Sequence, residues 1–78
     1  MDNFTQLESN PEILGGKAVV KGTRISVEFI MELVATGGTP ETIHARYPHV
    51  PISAIREAIL FAASFSKNDI FIQIPRAA

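Results

Sequence analysis

The residues most capable of chemistry cluster in one stretch, GGKAVVKGTRISV, Gly15 to Val27. It carries Lys17, Lys21 and Arg24, three of the seven basic residues, with no acidic residue and three glycines. Glycines around cations suggest a phosphate loop. A Walker loop, however, needs Gly, four residues and then Gly-Lys-Ser/Thr, whereas here Lys21 precedes Gly22 and Thr23 follows it. There is no GxGxxG either, so a dinucleotide fold is excluded. What remains is a turn-rich segment whose three cations either reach a backbone phosphate or are simply solvated.

The other chemical groupings are thinner. His44 and His49 are not spaced i, i+4 and have no third ligand, so no metal site is expected. Glu28 and Glu32 share a helical face, but nothing nearby in sequence supplies a nucleophile or an oxyanion donor. Ser53, Ser64 and Ser66 lack a nucleophile-elbow setting. These absences point away from an enzyme, and no cofactor is expected.

The elements that hold these residues follow from turn and cap signals. A chain of 78 residues is one domain whose own core is marginal. Residues 1–12 read as a polar N-terminal segment with Phe4 and Leu7 as anchors, and Asn10-Pro11 as a turn. Ala18-Val19-Val20 and the alternation from Arg24 to Val27 read as a small hairpin or β-loop. Ser26 then caps a first helix over Val27–Thr36, which Gly37-Gly38 ends with a left-handed turn. Thr39-Pro40-Glu41 starts a second helix reaching about Tyr47, stopped by Pro48. The third and longest helix runs from near Pro51 to about Phe65. Residues 67–78 form a tail in which Ile70 to Ile74 is β-prone, an extended strand candidate.

The third helix is apolar over most of its circumference. Ile52, Ile55, Ile59, Ala62 and Ala63 form one stripe, and Ala54, Ala58, Phe61 and Phe65 widen it. Such surplus suggests an association surface made of Ala54, Ala58, Phe61 and Phe65, with Ile70 and Ile72 of the tail adding a strand to a partner. A homodimer is its simplest closed form. The second and third helices have the lengths and spacing of a helix-turn-helix, although a plain helical hairpin looks the same. On DNA, Ser53, Arg56 and Glu57 would face base edges, while Arg46, His49, Lys17, Lys21 and Arg24 would lie near phosphates. The net charge of −1 and the single cation in the third helix's expected span weigh against DNA. The chain has no cysteine, no membrane-span pattern and no signal-like N-terminus, so a cytoplasmic location is expected.

The run Ile13 to Val27 (ILGGKAVVKGTRISV), the Gly37-Gly38-Thr39-Pro40-Glu41 turn and Tyr47-Pro48 together resemble the prokaryotic domain-of-unknown-function family 433. The pattern covers about Asn10 to Ala63, with Ala18 where that family usually has proline. The resemblance implies a homeodomain-like three-helix domain, over 13–66, of the helix-turn-helix superfamily. It also implies an antitoxin-like role of the VapB type, in which a dimer contacts a PIN-like ribonuclease toxin and its own operator DNA. A pure interaction or adaptor module without DNA binding is the alternative.

Overall fold

The computed structural model describes the backbone of residues 4–73 and the side chains of residues 4–64. Three helices pack beside a two-stranded antiparallel sheet. Strand β1 (Leu7–Ser9) pairs with β2 (Ala18–Val20), with Leu7 opposite Val20 and Ser9 opposite Ala18. Helices α1 (Val27–Ala35), α2 (Pro40–Arg46) and α3 (Ile52–Gln73) follow. Both α1 and α2 rest on α3, and the sheet closes the remaining side.

The hairpin differs from the expected one in its first strand, which comes from the polar N-terminal segment. Ala18–Val20 is a strand as expected, whereas the stretch after Arg24 contributes only a single bridge, Val19 to Ser26. The reason lies in Leu7 and Phe4. Leu7 is buried, and Phe4 meets the ring of Phe61 edge to face at 5.2 Å, so the N-terminal residues are anchored on α3. The connection between the strands turns through Leu14–Gly16, with Gly15 at φ 65° and Gly16 at φ 86°.

The helix boundaries follow their caps. The Ser26 hydroxyl accepts from the Phe29 N–H at 2.9 Å and starts α1. At the other end the Gly37 N–H donates to Val34 O at 3.0 Å and the Gly38 N–H to Leu33 O at 2.8 Å, the double bond of a Schellman turn. Gly37 has φ 102°, a conformation open to glycine and costly to a side chain. Thr39 and Thr42 form a reciprocal capping box, with Pro40 in the first turn of α2.

Helix α3 continues to Gln73, well past the Phe65 end expected for it. Ile70 to Gln73, expected as an extended strand, are therefore helical. No glycine or proline interrupts the chain between Ile52 and Gln73, and the β preference of Ile and Phe depends on a sheet neighbour to pack against. Ile74, the last residue of that expected strand, lies outside the described residues.

The core is aliphatic. Ile30, Ile55, Val19 and Val50 are the largest fully buried side chains, each worth about 1.5–3 kcal/mol of burial. Leu7, Val20, Val27, Ile43, Ala54 and Ala58 complete it. The half-buried Ile25, Met31, Leu33, Val34 and Tyr47 pack around it.

Candidate functional site

The helical hairpin is closed by specific contacts. After Arg46 the chain turns through Tyr47–Pro51, where the Val50 N–H donates to Tyr47 O at 2.9 Å and the Val50 side chain is fully buried. His44 Nδ1 donates to Val50 O at 2.7 Å, tying α2 to the turn. That bond uses one ring nitrogen on the backbone. The N–H groups of Ala54 and Ile55 then donate to Pro51 O and open α3. Tyr47 sits between Phe29 of α1 and His49, edge to face with both. The turn is thus held by a buried valine, a histidine and an aromatic wedge, which sets α3 rigidly against α2.

The exposed polar face of α3 is engaged by this chain. The Gln6 N–H donates to Glu57 Oε2 at 2.9 Å, the Thr5 hydroxyl to Glu57 Oε1 at 3.3 Å, and Gln6 Nε2 to the Ser53 hydroxyl at 2.9 Å. Thr5 and Gln6 therefore clip onto the first turns of α3. Arg56 pairs with Glu41 at the start of α2, 3.2 Å apart. None of these contacts had a sequence signal beyond the anchoring residues Phe4 and Leu7, because the partners are 15 to 52 residues apart.

The basic segment is equally occupied. Lys17 Nζ lies 2.8 Å from Glu28 Oε1, and that hydrogen bond, with the nearby carboxylate charge, raises the Lys17 pKa above its ordinary value. The backbone donors that a phosphate loop would aim outward point inward. The Gly16 N–H donates to Ile13 O, the Lys17 N–H to Leu14 O, the Lys21 N–H to Gln6 O and the Thr23 N–H to Val20 O. The Gly22 N–H donates to the Glu8 carboxylate at 3.1 Å. These five donors are therefore unavailable to an anion.

Six of the eight residues expected at DNA thus divide into two sets. Lys17, Arg56 and Ser53 each have a partner within the chain, and an incoming phosphate would compete with Glu28, Glu41 or Gln6 for them. Lys21, Arg24 and Arg46 are exposed and make no ion pair among the described residues.

The expected partner face also divides. Ala54 and Ala58 are fully buried in the chain's own core, so their surface is already covered by α1, α2 and the sheet. Phe61 is half-buried beneath Phe4. The side chains of Phe65, Ile70 and Ile72 lie outside those described. Among the described residues the large exposed hydrophobic side chains are Leu60 on α3 and Leu14 on the strand connection. No group of three or more His, Cys, Asp or Glu side chains is placed to hold a metal among the described residues. No described helix is long and apolar enough to cross a membrane.

No solved structure matches the chain. The uncharacterized protein y4eO of Sinorhizobium fredii (strain NBRC 101917 / NGR234) is 39% identical over 54 residues, which are 69% of this chain and 24% of that protein. The chain therefore spans about a quarter of the length of the curated relative it matches. Residues 7–62 match the model of the family described as protein of unknown function (DUF433), and with most of its length inside that match the chain belongs to this family.

Proposed function

We propose that the chain is a non-enzymatic, homodimeric helix-turn-helix regulator of the antitoxin type, acting in the cytoplasm. It neutralises a PIN-like ribonuclease toxin by direct contact and touches its own operator DNA through Lys21 and Arg24. The observation that supports this reading is the braced hairpin of α2 and α3, with Val50 buried in the turn and His44 bonded to Val50 O. A rigid second helix set across a first one is what groove docking requires. Protein contact ranks ahead of DNA contact, because Lys17 and Arg56 already face Glu28 and Glu41.

The intramolecular contacts of Ser53 and Glu57 favour one other reading, an adaptor module without DNA binding. Titration of the chain against DNA from upstream of its own gene separates the two. Saturable binding that weakens with salt supports the regulator, and K21A or R24A should each lower the salt slope by about one while K17A changes it little. Absence of binding at low salt removes the DNA role. Co-purification with the product of the neighbouring gene tests the toxin contact separately.

A further inference from the structure

Two features of the surface remain without a use, and they complement each other. The first is Leu14. Its φ is 49°, a left-handed conformation that is rare for a leucine, and its residue surface is 43% exposed. It occupies the first central position of a mirror-image turn, followed by Gly15 at φ 65° and closed by the Gly16 N–H to Ile13 O at 3.0 Å. That position ordinarily takes Asn, Asp or Gly. The turn is further fixed by the Ser9 hydroxyl donating to Gly16 O and by the Ile13 N–H donating to Asn10 O. A strained, exposed aliphatic side chain on a pinned turn is a pre-organised knob.

The second feature is an open cleft of about 340 Å³ between the end of α1 and α2. Leu33 and Ile43 give it apolar lining, Thr36 and Thr42 polar lining, and Gly37, Gly38 and Arg46 complete its wall. Arg46 has no carboxylate partner among the described residues. Two residues before Leu14, the exposed Glu12 has no cationic partner among the described residues.

Knob and cleft lie at opposite ends of α1. The strand connection is held near the start of α1 by Lys17 and Glu28, whereas the cleft contains Leu33 and Thr36 at its end. Two copies with their α1 helices antiparallel and in register therefore bring each knob toward the other copy's cleft, the 9 residues of α1 spanning about 13 Å between its two ends. Both contacts form together, as a twofold interface requires.

We propose that two copies of this chain associate by seating Leu14 of each in the α1–α2 cleft of the other, with Glu12 facing Arg46. This rests on the homodimer of the proposed function and specifies the contact that makes it. Leu14 is left in a costly conformation because the knob is needed in the complex.

Sedimentation equilibrium of the full chain, with thermal unfolding in parallel, tests it. L14N should weaken self-association at least tenfold while the Tm of the dilute chain stays within about 3 °C, since Asn tolerates the left-handed turn. R46E should weaken it as well, and adding E12R to R46E should restore it. A dimer unaffected by L14N, or a charge exchange without rescue, overturns the contact and leaves the homodimer standing. A wild-type chain that stays monomeric at about 100 μM overturns both.

Discussion

Two of the left-handed turns in this chain use opposite residues for the same backbone problem. At the end of α1 the turn falls to Gly37 and Gly38, and both of its N–H groups cap carbonyls of the helix. Between β1 and β2 it begins at Leu14, a side chain that gains no conformational relief there and stays 43% exposed. The first turn must end a helix, so the residue that minimises strain is the one present. The second tolerates strain in an exposed connection, where no core packing explains the choice of leucine. Strain kept at an exposed position is a marker of use by another molecule rather than of folding.

That contrast can be broken by exchanging the residues. The largest effect is expected at Gly38, where an added Cβ would meet Leu33 O at 2.8 Å, a backbone atom with little freedom to move. Gly38→Ala should destabilise the chain by about 2–3 kcal/mol. Gly37→Ala, with open space around its Cβ but φ 102°, should cost about 1–1.5 kcal/mol. Urea denaturation reads both, and a reversed order would mean that strain outweighs the steric clash. Leu14→Gly should behave differently. Relief of about 1 kcal/mol of left-handed strain offsets the apolar burial that glycine forgoes, leaving the denaturation midpoint near that of the wild type. A large drop in that midpoint for the dilute, monomeric chain would make Leu14 a folding residue and erase the contrast.

The smallest effect concerns the ion pair beside the Leu14 turn. The Lys17 pKa is raised by its hydrogen bond to Glu28, so the folded state holds the proton more tightly than the unfolded chain does. Stability from this pair is fully present below the ordinary lysine value of 10.5 and declines as pH rises through the folded value. Because both side chains are well exposed, the decline should be slight and should shrink with added salt. Comparing wild type with K17A across pH 9 to 12 should show the difference only at the lower end of that range.

Much of the helical part is legible from local signals. Ser26, Gly37, Thr39 and Pro40 act where they stand, through bonds to backbone groups a few residues away. The strand β1 is not legible, since its pairing partner lies beyond Leu14–Gly16 and Leu7 is its single core residue. The end of α3 departs from its local signal because Ile70 to Ile74 has β-prone composition, whereas an uninterrupted helix simply propagates into it. The candidate site is legible as a set of cations and a helical hairpin, but not in its pairings.

The sequence by itself determined three helices, the caps of the first two, the left-handed turn after α1 and the basic character of Gly15–Val27, because each depends on residues within a few positions. Tertiary structure alone decided that Glu28 and Glu41 lie against Lys17 and Arg56, and that Thr5 and Gln6 cover the polar face of α3. It also placed Ala54 and Ala58 inside the core. A charge or an apolar side chain carries no record of what it will face. That is set by which distant segment packing brings within a few ångströms, and this distinguishes an available cation from one already neutralised.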